Sequence, residues 1–392
     1  LIYRQKTFRV IRHDIHTISN GDTCAINTKR QTKLQYQHLV ISAGDKFMAM
    51  NEDLSAFKVV RLNCELFPPS EFELEKYAEV KISPVLVEAD DPDQILAVAA
   101  DCDVLVVVST SLPATVIDGL AKCRMIARVG AGTDKIDVKR ATEKGIVVAN
   151  VYDFCIHEQA EHALALLLSV VRKLPQMADA MRDGAWTSSR SECSSIHRME
   201  GKTLGLVGFG GSAKQLARRV AGFNFRILAN RRNMDAPDDE ALALGVEMVD
   251  LDSLLAESDY VSLHLPLNTH TRYLFDEARL RSMKPGAVLI NTARGAIVDE
   301  SALVRVLEGG HLSGAGIDTF YEINVHGGTD GKQDHRLLHL PNVVLTPHVA
   351  AYSVEARKDV GYGTGDNVIA ALRGELPRAD RIVNIGVEPR YS

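Results

Sequence analysis

The chain has 392 residues, 46% hydrophobic and 24% charged, with a formal net charge of -6. That length supports two or three ordinary domains and a sizeable core. The charge gives no electrostatic case for nucleic acid or an anionic membrane surface, and the longest apolar stretch, residues 163–171, falls far short of a membrane span. The six cysteines (24, 64, 102, 123, 155 and 193) form no CxxC pair and no zinc spacing. Reduced, buried thiols in a cytoplasmic protein are expected, and no metal site.

Residues 1–47 lean basic and show neither helical nor strand period. They are read as a disordered or non-native extension and set aside from the fold. From about residue 57, short apolar strands alternate with helical segments. "FKVVRL", "ISPVLVE", "DVLVVV", "RMIARVG" and "GIVVAN" read as strands of a first parallel sheet. A long helix beginning "HEQAEHALALLL" follows, interrupted at Pro175. A second series then opens: "GKTLGLVGFG", "FRILAN", "VEMV", "YVSLHL", "GAVLINTA", "AGIDTF" and "NVVLTP". The last helical stretch, residues 351–376, is expected to return to the first domain. The fold class is α/β, with two Rossmann-like or flavodoxin-like domains and the nucleotide-binding domain inserted into the substrate domain. The expected parts are 48–153 (substrate domain), 154–352 (dinucleotide domain) and 353–392 (returning segment).

Gly208-x-Gly210-Gly211-Ser212-Ala213 lies between a strand and a helix. The first glycine suits a tight turn, the second a close backbone approach to pyrophosphate, and Ala213 the packing of helix on strand. Free N–H groups at the helix start, around Ser212, favour phosphate. About twenty residues on, an acidic residue normally holds the adenosine ribose. Here Asn230, Arg231 and Arg232 stand instead. Guanidinium groups pair with phosphate, and a missing carboxylate removes repulsion, so NADP(H) is expected over NAD(H).

Arg294 and His348 lie just beyond predicted strands and Asp318 at a strand end, so all three should face the crevice at the strands' carboxyl ends. With "EHALALLLSVVRKL" and "RVGAGTDKIDVKRATEKGIVVAN", these stretches resemble the D-2-hydroxyacid dehydrogenases, from about residue 57 to the C-terminus. The resemblance implies that Arg294 clamps the substrate carboxylate and that His348 exchanges a proton with the carbonyl oxygen. It implies that Asp318 holds the nicotinamide side of the cofactor, with Pro266, Thr292 and Ala293 also in the cofactor site. Ala131 and Gly132 would bind the substrate carboxylate through backbone N–H groups, beside Ser109. It further implies a homodimer, in which the helix starting at His157 buries its apolar face against a partner.

The sequence departs from that pattern at the histidine's acidic partner. The usual position holds Ile323, followed by Asn324, with Glu322 one place early. A re-routed loop, "INVHGGTDGKQDH", is expected to present Glu322 to His348. Val108 replaces an arginine that some phosphoglycerate dehydrogenases carry, which favours a small unphosphorylated 2-oxo acid such as glyoxylate or hydroxypyruvate. A phosphoglycerate dehydrogenase-like enzyme and a cofactor-sensing corepressor-like protein are the alternatives. "HEQAEH" is not a zinc-protease motif, because His157 and His162 lie five apart, about 140° around a helix.

Overall fold

The computed structural model describes residues 52–234, 237–323, 325 and 334–390. The extension at 1–47 and most of the loop after Ile323 lie outside the described residues. The first series runs β1 (Val59–Leu62), α1 (Glu71–Glu79), β2 (Val85–Val87), α2 (Pro92–Ala99), β3 (Val104–Val107), α3 (Ala114–Gly119), β4 (Met125–Arg128), α4 (Val138–Glu143) and β5 (Val147–Ala149). Helices α5 (Ile156–Val171) and α6 (Leu174–Arg182) lead to the second: β6 (Thr203–Val207), α7 (Gly211–Arg219), β7 (Arg226–Asn230), α8 (Asp239–Ala243), β8 (Val246–Met248), α9 (Leu251–Glu257) and β9 (Tyr260–Leu263). It continues through α10 (Glu277–Ser282), β10 (Val288–Asn291), α11 (Glu300–Glu308), β11 (Gly314–Ile317), β12 (Val343–Leu345) and α12 (Val354–Leu372).

All strand pairs are parallel. The five-stranded sheet has the order β2-β1-β3-β4-β5, and the seven-stranded sheet β12-β11-β10-β9-β6-β7-β8. Central strands such as β3, β9 and β10 are buried along their whole length, as unbroken apolar runs in a sheet covered on both faces must be. Aspartates set many of the helix starts: Asp91, Asp137, Asp250, Asp276 and Asp299 each accept a first-turn amide.

Helix α12 packs on α1 and against β3 and β4. The approach is close because Gly365 faces α1, where a Cβ would come within 2.5 Å of Lys76 Cβ. Beyond it, the Asn384 side chain accepts the Val148 amide at 2.8 Å and Ile382 bridges Ala149.

Two local expectations change. The break between α5 and α6 falls at Lys173, in a left-handed conformation (φ 53°), and Pro175 belongs to the first turn of α6. The apolar face of α5 (Ala160, Ala163, Leu166, Leu167) is buried within the chain, against α7 and strands β10–β12, and is not left for a partner. The exposed apolar side chains lie next door on and after α6: Leu174, Met181 and Trp186.

Candidate active site

Strand β6 is the switch point of the larger sheet, flanked by β7 on one side and β9 on the other. Crossovers leave it in opposite directions, opening a crevice at the carboxyl ends. Gly208 follows β6 with φ +90°, and a Cβ there would meet the His264 carbonyl oxygen at 2.6 Å. Only glycine therefore allows this turn to pass so close to the loop after β9. Gly210 caps α7 with no side-chain hydrogen bond, and a Cβ at Gly210 would point into open space. Ala213 is fully buried beneath the turn. An uncapped nine-residue helix with a bare backbone before it fits a pyrophosphate. Gly211 instead packs on Ile156 of α5.

A cleft at this edge brings together Ala131, Gly132, Ser212, Pro266, Thr292, Ala293 and Arg294, all expected from sequence. Gln159 and Leu263–His264–Leu265 complete its wall and were not anticipated. His264 sits next to last in the predicted strand "YVSLHL", and its place near the carboxyl end of that strand could have flagged it. Its Nδ1 is 3.0 Å from Ser212 Oγ and its Nε2 2.9 Å from Ser262 Oγ. Desolvation pushes the imidazole down to about 4, so it is neutral at pH 7.

Arg294 follows β10 and crosses to the first domain. Its Nε donates to Asp134 Oδ1 at 3.1 Å, and its guanidinium lies in the space a side chain at Gly132 would need. Asn291 holds the local turn by donating to the Arg294 carbonyl at 3.0 Å and accepting the Ala293 amide. Burial alone would raise the Asp134 carboxyl, but Arg294, and more distantly Arg128, hold it below the usual range. Arg128, at the end of β4, is a second cation that sequence reading missed. Desolvation, and then the charge of Arg294, lower it to about 10. Among the described residues Arg294 alone pairs with Asp134, while Arg128 feels that carboxylate only through its charge.

Ser109 is not part of the cleft wall. Asn63 Oδ1 accepts its amide at 3.1 Å, and its carbonyl accepts Lys135 Nζ at 2.8 Å. Asp318 is fully buried and is not among the residues that line the cleft. It accepts from Thr346 Oγ1 (2.6 Å), Val349 N (2.9 Å) and Ala350 N (3.0 Å), and so secures the turn after β12. His348 sits in that turn with φ +59°, its amide donating to the Asp318 carbonyl at 2.8 Å. It lies at the same sheet edge as Arg294, two strands away, outside the cleft wall.

Glu322 Oε2 contacts His335 Nε2 at 3.0 Å. Glu300 accepts the amides of Tyr321 and Glu322, which fixes the backbone there, and Ile323 is buried. Glu300, Glu322 and His335 offer ligand atoms within 4.8 Å of one another. However, His335 Nδ1 accepts the Leu337 amide, so Nε2 carries the proton that faces Glu322 and is not free for a cation. His157 and His162 reach Arg219 and Thr346 respectively.

At the end of β7, Arg231 Nη1 donates to Asp238 Oδ2 at 2.8 Å, and Asp238 also takes Lys214 at 3.0 Å. Arg232 is exposed with no ion pair among the described residues. Asn230 donates to the Val249 carbonyl at 3.0 Å.

Residues 164–350 match the family model "D-isomer specific 2-hydroxyacid dehydrogenase, NAD binding domain". A glyoxylate reductase of Thermococcus litoralis is 35% identical over 311 residues, covering 78% of this chain and 89% of that protein. The chain belongs to the D-isomer-specific 2-hydroxyacid dehydrogenase family. A D-3-phosphoglycerate dehydrogenase of Mycobacterium bovis is 37% identical over 330 residues, 84% of this chain, and the chain spans 59% of that relative's length. The solved TT0316 protein of Thermus thermophilus superposes with a TM-score of 0.72 at 32% identity, over 83% of this chain and 99% of that one. Among the described residues no helix is long and apolar enough to cross a membrane.

The His264 environment predicts an acid-labile cofactor domain. An imidazole lowered from 6.5 to about 4 resists protonation only when folded. Its stabilising contribution is complete above about pH 6.5 and is lost as pH falls toward 4. Thermal midpoints across that window should drop less steeply in His264→Asn than in the native chain; parallel slopes would refute the assignment.

Proposed function

We propose that this chain is a 2-oxo acid reductase, working on a small unphosphorylated acid such as glyoxylate or hydroxypyruvate, with NADP(H) favoured over NAD(H). The observation that carries it is Arg294 reaching across the cleft to the Gly132 loop, at the carboxyl edge that also holds the bare start of α7.

Gly208, Gly210, Gly211 and Ser212 would hold the cofactor's phosphates, with Pro266, Thr292 and Ala293 along its path. The bound nicotinamide supplies the hydride. Arg294 exchanges its Asp134 contact for the substrate carboxylate, a charge-assisted pair in a partly buried site. The Ala131 and Gly132 amides add donors, on a loop steadied by Asn150 Nδ2 at 2.7 Å from the Ala131 carbonyl. His348 gives its proton to the carbonyl oxygen as the carbon is reduced, and regains it from solvent. Movement of the first domain toward the second would exclude water and bring His348 to the substrate.

Arg128 favours a second reading. A further cation under the Gly130 loop would suit a doubly charged, phosphorylated acid despite Val108.

Initial rates with glyoxylate, hydroxypyruvate and pyruvate, and with 3-phosphoglycerate in the oxidative direction, separate these readings. His348→Ala should lower kcat by about 100- to 10,000-fold. Arg294→Gln should lower kcat/KM by at least about 10-fold, as loss of a charged hydrogen bond does. Turnover confined to 3-phosphoglycerate would favour the second reading. Tight cofactor binding with no turnover on any acid would sink both and leave a cofactor-sensing protein.

The NADP(H) preference rests on Arg232, with Arg231 shared between Asp238 and the 2′-phosphate. The double variant Arg231→Ala/Arg232→Ala should raise KM for NADPH by about 10-fold or more, while KM for NADH moves little. Equal changes for both cofactors would contradict it.

We assign Leu174, Met181 and Trp186 to the interface of a homodimer; they are 51%, 61% and 58% exposed, next to the break after α5. Met181→Glu/Trp186→Glu should shift the mass measured by light scattering from dimer to monomer, and a native monomer would refute the assignment. The described cysteines are all unpaired, which suits a reducing cytoplasm.

A further inference from the structure

The "HEQAEH" stretch begins α5, and its polar side chains reach separate neighbours. Glu158 Oε1 accepts from Ser353 Oγ at 2.7 Å. His162, four residues on and so on the same helical face, lies with Nε2 2.8 Å from Thr346 Oγ1 and 3.5 Å from Asp318 Oδ1. The Thr346 hydroxyl has one proton, which it donates to Asp318 Oδ1 at 2.6 Å. A carboxylate only accepts, so the hydroxyl must accept from His162 Nε2–H, and the direction of the chain His162 → Thr346 → Asp318 is fixed.

Asp318 in turn organises the turn that carries His348. Its two oxygens take the amides of Val349 and Ala350, and its carbonyl takes the amide of His348. His348 has φ +59°, a conformation that is unfavourable for a residue with a Cβ and persists where its surroundings enforce it. The outermost member of that enforcement comes from α5, whose Gln159 also lines the cleft.

We propose that His162 is a positioning residue. Through Thr346 and Asp318 it holds the left-handed turn that aims His348, and so couples the first turns of α5 to the proton-transfer step. This rests on the reading of His348 as the acid.

The test compares His162→Ala and Thr346→Val with the conservative His162→Gln and Thr346→Ser, which keep a donor and a hydroxyl. The first pair should lose about 10- to 100-fold in kcat, as misplacement of a catalytic group does, with KM for acid and cofactor nearly unchanged. The second pair should recover most of the rate. A second readout needs no turnover. In cofactor-free protein labelled at histidine Cε1, the His348 resonance, assigned by its absence in His348→Ala, should shift or broaden in His162→Ala and return in His162→Gln. Unmoved kcat and resonance in His162→Ala and Thr346→Val would overturn the proposal. So would equal damage in the conservative pair, or a rise in KM matching the fall in kcat. If the native chain reduces no 2-oxo acid, the catalytic reading fails, and the resonance alone still decides whether His162 positions His348.

Discussion

The site depends on the position of β6 between β7 and β9. Parallel strands joined by right-handed crossovers place their helices on one face or the other according to the direction of travel. At β6 that direction reverses, and the two adjacent loops part. The glycine turn fills one side of the gap and the His264 loop the other, with the Gly208 turn pressed against the His264 carbonyl. Every later feature uses this edge: Arg294, Asp318 and His348 leave three successive parallel strands, β10, β11 and β12, at the same end.

Charge at this edge is shared between groups that a ligand can rearrange. Arg294 is held by Asp134 across the domains, with Arg128 beneath the same loop. Asp134 keeps the arginine extended over Gly132, and a carboxylate that displaced it would find the guanidinium already in place. Arg231 is similarly held by Asp238, and a 2′-phosphate would compete with that carboxylate for the guanidinium. His264 contributes no charge at all at neutral pH, which suits a group between two serines beside a phosphate-binding turn.

The buried aspartate carries more of the architecture than its place in the sequence suggests. Asp318 spends both carboxylate oxygens on the chain around His348. The usual acidic partner position is taken by the buried Ile323, and Glu322 is engaged with His335. The backbone on either side of the His348 side chain is held by a hydrogen-bonded turn around Asp318.

Much of this was legible in the chain itself. Apolar runs of four to six residues separated by helical patterns specify two parallel sheets, because strands buried on both faces have no polar alternation to keep. Gly208 and Ala213 were legible because each position tolerates only one kind of side chain, and Arg294 and His348 because each directly follows a strand. Ion pairing between residues far apart in sequence was not. Asp134 meets Arg294 across 160 positions, and His162 meets Thr346 across 184. Arg231 looks like a free cation until Asp238 folds back on it, and the burial of Asp318 is not visible in its neighbours along the chain. The sequence by itself determined the sheets, the glycine turn after β6 and which side chains follow the strand ends, since these follow from local periodicity and local steric demand. Tertiary structure alone decided which carboxylate each cation and imidazole meets, because burial and electrostatics depend on neighbours that the order of residues does not contain.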